Sequence, residues 1–522
     1  AKPCASTCDE SRAHGERTTL GRCMPSPEVS PFLWPLSEES ALGRPLCVDL
    51  DGTLVGTDTL WESLLVLLRH KPWLSLLVPF WLFGGRAAFK RSIASRVAFD
   101  ATTLPYRADL LDALIDSKRH GRKLVLVTAA DRDVADRVAQ HVGIFDDVFS
   151  SDGDENLKAE QKRDRLVAAY GANGFDYIGD SLADLPVFDK AMRGFLVGAH
   201  SSLAARAARN HKVTIVSRRP SLLRALIKEL RVHQWAKNAL VVLPVVLRPG
   251  MPTVDVVTRA VLAAFAFSLL ASAGYVLNDL LDLPADRAHP TKRTRPFASG
   301  ALPVLYGPPL FLGLIAVGFI GSLAFLPRAF SLMLALYFIG TVSYSLYFKR
   351  RLLLDVMILA GLYTHRILAG GIATSIAISA WLLGFSMFLF LSLAFGKRYV
   401  ELLQLNSDEK IKNRDYYKVD LQMVGSMGAA SGYIAALVFS LYVENGSHSG
   451  AYREANILWL AVPVLLYWIS RIWIITGRGQ MQDEPVKYAL RDKVSMLCAA
   501  VVGLIAALAR FTPEWLMELL HR

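Results

Sequence analysis

The sequence predicts two domains: an α/β domain built on a parallel sheet, with acids at its strand ends and a small helical cap, and then an all-α polytopic membrane domain of about nine transmembrane helices. Three observations carry this. Of 522 residues, 53% are hydrophobic and the mean hydropathy is +0.32, too apolar for an ordinary soluble chain. The apolar residues are unevenly spread, mixing with charge in short runs before about Arg231 and forming long runs between charged loops after it. In the first part, short β-like runs end in acids and lead into helical stretches, as in parallel sheets whose active groups gather at the carboxyl ends of the strands. The boundaries expected are a disordered tail over 1–40, the α/β domain over 41–219 with its cap at about 58–100, and the membrane domain over 225–522.

The tail holds Cys4, Cys8, His14 and Cys23, whose spacing fits no familiar zinc pattern, and a disulfide framework is no better supported. It also lacks the apolar core of a signal peptide, so the α/β domain is expected in the cytoplasm. The net charge of +12 sits in loops between apolar runs, which is membrane-topology charge; no nucleic-acid partner is expected.

Pro45-Leu-Cys-Val-Asp49-Leu-Asp51-Gly-Thr53 reads as a short buried strand ending in two carboxylates and a Gly turn. Leu124-Val-Leu-Val-Thr128 is a second strand, with a hydroxyl at its end and a helix-like run from Asp131. Lys158 and Lys162 open another helical stretch, and Tyr177-Ile-Gly-Asp180-Ser-Leu-Ala-Asp184 is a third strand ending in acids. From Pro45 to Gly198 these residues resemble the haloacid dehalogenase-like phosphatases, with all four motifs in order. The resemblance implies Asp49 as the nucleophile that takes the phosphoryl group and Asp51 as the acid and base. It also implies Thr128 and a Lys on the phosphoryl oxygens, and a Mg²⁺ site shared by Asp49, Asp51, Asp180 and Asp184. Lys158 and Lys162 compete for the Lys role, with Lys162 favoured by its spacing to Leu166. In the cap, Trp61 to Leu68 and Pro72 to Phe83 are strongly apolar; the second run is too short to span a bilayer, and lying in the interface or being buried in the domain are both open.

Nine spans are expected in the membrane half: 236–248, 256–277, 305–326, 329–348, 353–373, 378–398, 423–443, 455–476 and 493–511. Loops after even-numbered spans hold the cations Arg287, Lys292, Arg293 and Arg295, then Lys349 to Arg351, then Lys397 and Arg398, then Arg478 to Lys493. The positive-inside rule then places the N-terminus and these loops in the cytoplasm and the C-terminus outside a cytoplasmic (inner) membrane. The segment Asn278-Asp279-Leu280-Leu281-Asp282-Leu283-Pro284-Ala285-Asp286 follows a span. Asn278 and Asp282 share a helical face, and Pro284 is expected to put Asp286 on a loop folded back toward them. An oxygen-ligand set of this kind at a membrane mouth suits Mg²⁺ carrying a diphosphate, with the following cations on phosphate oxygens. Lys237 and Asn238, Tyr344 and Lys349, and Lys397, Arg398 and Glu401 fall on the same side and point to a shared polar chamber.

This half resembles the UbiA-type intramembrane prenyltransferases through Asn-Asp-x2-Asp-x3-Asp and Tyr344-Ser-x3-Lys-Arg. The second acidic motif of that family is not evident, since Lys397-Arg398-Tyr399-x-Glu401 stands in its place. The closer resemblance is to the polyprenyl-phosphate phosphoribosyltransferase branch, through Gln234-Trp-x-Lys-Asn238, the run Asn278 to Pro296 and Gly-Lys-Arg-Tyr. It implies phosphoribosyl diphosphate as donor, polyprenyl phosphate as acceptor and Mg²⁺ in both domains, in a lipid bilayer. The product would keep a phosphomonoester that the first domain is equipped to remove. A prenyl diphosphate donor with an aromatic acceptor, beside a structural or regulatory first domain, is the alternative. A homo-oligomer is compatible with either reading.

Overall fold

The computed structural model describes residues 42–511, apart from 78–79, 82–85, 98, 153–156, 199–203, 207–211, 218–220, 249, 407–408, 412–413, 447–451, 482–484 and 490. The tail, with Cys4, Cys8, His14 and Cys23, lies outside the described residues.

Six strands, β1 (Leu46–Val48), β2 (Leu124–Asp131), β3 (Asp147–Ser151), β4 (Asp176–Gly179), β5 (Gly194–Leu196) and β6 (Val213–Ile215), form one sheet in the order β3-β2-β1-β4-β5-β6. Every pairing is parallel. β1, β4 and β5 are buried along their whole length, as a sheet with both faces covered requires. The order reverses at β1, which pairs with β2 on one side and β4 on the other, so its carboxyl end is the switch point where open α/β sheets bind ligands. Val48 is level with Leu126 and Ile178, which brings Asp49, Thr128 and Asp180 out at one edge of the sheet.

Helix α1 (Thr59–His70) starts where Asp58 caps it, accepting from the N–H groups of Leu60 and Trp61. Helices α2 (Arg86–Ala94), α3 (Ala108–Arg119), α4 (Arg132–Val142) and α5 (Glu160–Tyr170) complete the domain. The two apolar runs of the cap have different fates. Leu67 packs with Ile93 and Val97 inside the domain, whereas Trp61 and Leu65 pack against Leu280, Phe297 and Leu302 of the following half. Trp73, Leu77 and Phe80 of the second run stay exposed. Leu74 and Trp81 of that run pack against the Leu67–Ile93–Val97 cluster, so the second run is partly buried in the domain and partly exposed.

After a connecting helix α6 (Leu222–Glu229) come eight helices long and apolar enough to cross a membrane among the described residues. They are built on α7 (Val254–Leu281), α9 (Gly307–Phe325), α10 (Arg328–Leu346), α11 (Leu354–Thr374), α12 (Ala380–Leu403), α13 (Leu421–Gly446), α14 (Ala461–Gly477) and α15 (Lys493–Arg510); the short α8 (Leu283–Ala288) follows α7. The first expected span, 236–248, is a correction: it is a 3-10 stretch, Val232–Val241, and one short helix, Leu243–Leu247. It still runs the depth of the bundle. Arg231 meets Asp279, Trp235 meets Ser272 and Asn238 meets Ser268, so the segment runs antiparallel to α7. At about 2.0 Å rise per 3-10 residue and 1.5 Å per α residue, the segment approaches the ~30 Å of a hydrocarbon core despite its brevity. Buried Arg366 on α11 pins it, donating to Asn238 Oδ1 (2.9 Å) and to the Tyr337 hydroxyl (2.9 Å).

The two halves meet through a buried fork. Arg287 on α8 donates to both Glu62 carboxylate oxygens (2.6 and 3.1 Å), to the Thr103 carbonyl (3.2 Å) and to the Ala298 carbonyl (3.3 Å). Beside it, Gly300, at φ +73°, lies so close to Gly56 that a Cβ there would sit 2.5 Å from the Gly56 carbonyl oxygen.

Candidate active sites

At the switch point, the ligand atoms of Asp49, Asp180 and Asp184 lie within 4.8 Å of one another, the convergent acidic triad among the described residues. Lys162 from α5 is buried beside them, donating to Asp49 Oδ1 (2.7 Å), to the Tyr177 hydroxyl (3.0 Å) and to Asp184 Oδ1 (3.4 Å). Asp184 is held by the Tyr177 hydroxyl (2.7 Å), the Ser181 hydroxyl (2.8 Å) and the Asp180 N–H (3.2 Å). Lys158 is exposed at the rim of the same cavity, so Lys162 is the lysine whose ammonium reaches Asp49. Gly52, at φ +79°, admits the Asp180 carboxylate where any Cβ would stand 2.1 Å from its oxygen.

Two expected members stand differently. Asp51 is outside the triad; its Oδ1 accepts the N–H of Thr59 (2.8 Å) at the start of the cap helix. Thr128 is fully buried, with its hydroxyl oxygen accepting from the Ala130 N–H (3.0 Å), and it is Ala129 and Ala130 that line the cavity. The hydroxyl thus bonds within the carboxyl end of β2 itself.

The electrostatics separate the two carboxylates of the first motif. Burial, aided by the charges of Asp58 and Asp49 and opposed by the Thr59 N–H, pushes Asp51 up to about 8. Burial also raises Asp49, to about 6, because Lys162 offsets much of that desolvation. Burial works against the Lys162 ammonium, yet Asp49 and Asp184 outweigh it and raise it. Asp184 is buried too, but Lys162 and its hydroxyl donors hold it below the usual carboxylate range. A carboxyl that keeps its proton near neutrality beside one that gives it up is the division of labour expected of an acid and a nucleophile. Three buried carboxylates converging beside one Lys suit Mg²⁺ with a substrate phosphate.

The second site lies at the end of α7. Asn278 and Asp279 are its last polar residues, Asp282 closes it, and Asp286 lies on α8. That placement corrects the expected loop: Pro284 sits in the first turn of a new helix, where it costs no hydrogen bond, so the chain turns and continues helically. Each acid meets a cation. Lys349 donates to Asp282 Oδ2 (3.2 Å), Arg295 pairs with Asp286 and with Asp279 Oδ1 (3.0 Å), and Arg231 pairs with Asp279. Carboxylate and amide oxygens are the donor type that Mg²⁺ carrying a diphosphate takes, although among the described residues Asp279, Asp282 and Asp286 do not converge as Asp49, Asp180 and Asp184 do. Lys292 and Arg293 are exposed beside Arg295, and Lys237 and Lys397 are partly exposed.

Four residues expected on phosphates are placed otherwise. Asn238 is buried between Ser268 and Arg366. Arg398 is wholly buried, with Nε 3.0 Å from Asp355 Oδ2 and NH1 on Glu401. Glu401 is drawn to Arg398 and to Arg414 (3.4 Å), and Tyr344 receives a long bond from Arg414 (3.4 Å). Asp355 lies on α11, whereas Glu401 is one turn along α12 from Arg398, so it is the Asp355 pair that joins α11 and α12. Arg398→Ala leaves buried Asp355 with fewer partners and is expected to cost about 3 kcal/mol of stability. Unfolding in detergent checks this, and a loss below about 1 kcal/mol would contradict the buried pairing.

The sequence reading missed Glu229, whose carboxyl is fully buried against Asp279 with neither oxygen receiving a hydrogen bond. As a carboxylate it has no donor; protonated, it donates to Asp279. Burial, with Asp279 adding and Arg231 opposing, pushes it up to about 8. An unfolded Glu titrates near about 4.3, so the folded chain keeps a proton the unfolded chain loses between there and about 8. The contribution is therefore fully present below about 4.3 and declines as pH rises. Thermal unfolding of wild type from pH 5 to 8 should show this decline, and Glu229→Gln should flatten it. Parallel profiles for the two would refute the assignment.

Compared with known proteins, residues 46–189 match the haloacid dehalogenase-like hydrolase family, and residues 239–491 match the UbiA prenyltransferase family. The uncharacterized protein y4nM of Sinorhizobium fredii is 36% identical over 465 residues, covering 88% of this chain and 90% of that protein. Nodulation protein NoeC of Azorhizobium caulinodans is 36% identical over 281 residues, 53% of this chain and 90% of its own. The decaprenyl-phosphate phosphoribosyltransferase of Mycobacterium tuberculosis is 30% identical over 308 residues, 56% of this chain and 98% of its own.

Proposed function

The chain belongs to the UbiA prenyltransferase family and carries a haloacid dehalogenase-like hydrolase domain ahead of it, and from that premise we propose that it makes polyprenyl phosphoryl ribose in two steps. In the first, 5-phosphoribosyl passes from phosphoribosyl diphosphate to a polyprenyl phosphate. The bond from the anomeric carbon to diphosphate breaks, and one from that carbon to the lipid phosphate oxygen forms. The lipid phosphate is already anionic and needs no general base. Asn278, Asp282 and Asp286 would hold Mg²⁺, which supplies charge neutralisation for the departing diphosphate. Lys349 and Arg295, seated on those acids, and Lys292, Arg293, Lys237 and Lys397 nearby are the cations for the phosphates.

In the second step the 5-phosphate leaves. Asp49 attacks phosphorus, Lys162 offsets the gathering negative charge, and Asp51 gives its proton to the departing ribose oxygen. Asp51 then takes a proton from the water that releases phosphate from Asp49. Asp180 and Asp184, with Asp49, would hold the Mg²⁺ that offsets charge on the phosphoryl group. The single observation that carries the pairing of the two steps is the Arg287–Glu62 fork: Arg287 follows Asp286 directly, and Glu62 lies on the cap helix whose first N–H binds Asp51. Both sites therefore lie at one end of the bundle. With the loop charges, this supports a cytoplasmic-membrane enzyme with both sites on the cytoplasmic side and its C-terminus outside.

Donor choice tests the reading. Purified protein with Mg²⁺ and a polyprenyl phosphate should form a ribosylated lipid from phosphoribosyl diphosphate. Formation of a prenylated aromatic acceptor from a prenyl diphosphate, with no ribosylated lipid, would favour the alternative.

A further inference from the structure

The cavity over Asp49 has a volume of about 750 Å³, near the upper part of the range for small-molecule sites, and only part of its wall belongs to the phosphatase fold. Asp49, Asp51 and Lys162 line it, together with Trp61 and Phe89 of the cap. Pro303, Leu305 and Tyr306, which belong to the other half of the chain, line it as well. These residues immediately precede α9, so this wall stands at the end of a membrane-spanning helix. Leu305 is 46% exposed and Tyr306 37%, an apolar surface left open at the cavity mouth. The wall is fixed in place: the buried Arg287–Glu62 fork and the Gly56–Gly300 backbone contact join its loop to the loop that carries Asp49. A pocket needed only for a small soluble sugar phosphate would have no use for an apolar wall at a membrane surface.

We infer that the Pro303–Tyr306 turn is the specificity element of the phosphatase, and that the pocket takes a phosphomonoester carried on a membrane-anchored chain. The phosphate sits on Lys162 and the acids, and the apolar part of the substrate leaves past Leu305 and Tyr306 toward the bilayer. This rests on the phosphatase reading above and adds the residues that select its lipid-anchored substrate.

The test uses the full-length protein in detergent micelles and three substrates: ribose 5-phosphate, polyprenyl phosphoryl ribose 5-phosphate and phosphatidic acid. Wild type should prefer both lipid-anchored substrates to ribose 5-phosphate in kcat/KM. Tyr306→Ala combined with Leu305→Ser should lower the ratio of lipid-anchored to soluble activity about tenfold, the scale of one lost apolar pocket contact. Tyr306→Phe, which keeps the ring, should hold the wild-type ratio. No lipid preference in wild type, an unchanged ratio in the double variant, or an equal fall on all substrates would each overturn the inference. Hydrolysis of phosphatidic acid without hydrolysis of the ribosylated lipid would leave it standing and remove the proposed second step instead.

Discussion

Asp49→Asn is expected to stop the protein at polyprenyl phosphoryl ribose 5-phosphate, with phosphate release down by more than about 10³-fold and ribosyl transfer intact. The substitution keeps the shape of the side chain and removes the charge that attacks phosphorus. It also removes the strongest partner of Lys162, which lies 2.7 Å from Asp49 Oδ1. Lys162 retains Asp184 and Tyr177, so the pocket should stay folded. Mass spectrometry of the lipid product reads the outcome. Continued release of the 5-phosphate at the wild-type rate would show that Asp49 is not the nucleophile.

The second large effect is expected at Asp282. Asp282→Ala removes an oxygen from the Mg²⁺–diphosphate set and frees Lys349, which now rests on Asp282 Oδ2 at 3.2 Å. Ribosyl transfer should fall by about 10²–10³-fold, as when a group aimed at developing charge is lost. Hydrolysis of supplied polyprenyl phosphoryl ribose 5-phosphate should continue, because Asp282 takes no part in the Asp49 site. A variant that still transfers ribose at the wild-type rate would take Asp282 out of the diphosphate site. The two substitutions thus divide the reaction at the same intermediate, one blocking its formation and the other its consumption.

The order of the strand-end residues made the α/β sheet legible, since Asp49, Thr128 and Asp180 each follow a short apolar run that only a buried parallel strand explains. The Asn278–Asp286 motif was equally plain because its spacing is local. What escaped depends on contacts between distant residues. Glu62 and Arg287 are 225 positions apart, and neither looks unusual in its own segment. Arg398 reads as a phosphate cation until Asp355 is found beside it. Glu229 reads as one more polar residue on a connecting helix. Arg366 left a visible signal, a charge in the middle of an apolar run, which is a functional or structural flag by default. The 3-10 form of the first span was hidden for another reason: apolar periodicity measures length in residues, and a helix with a longer rise spans the same depth with fewer of them.

The central claim is that one chain first adds phosphoribosyl to a lipid and then removes the 5-phosphate from that same group. Phosphoribosyl diphosphate labelled with ¹⁴C in the ribose and ³²P in the 5-phosphate tests it in one incubation with Mg²⁺ and a polyprenyl phosphate. The prediction is a lipid that keeps ¹⁴C while ³²P appears as inorganic phosphate, with Asp49→Asn holding both labels on the lipid. Both labels staying on the lipid in wild type, or neither reaching it, would contradict the account.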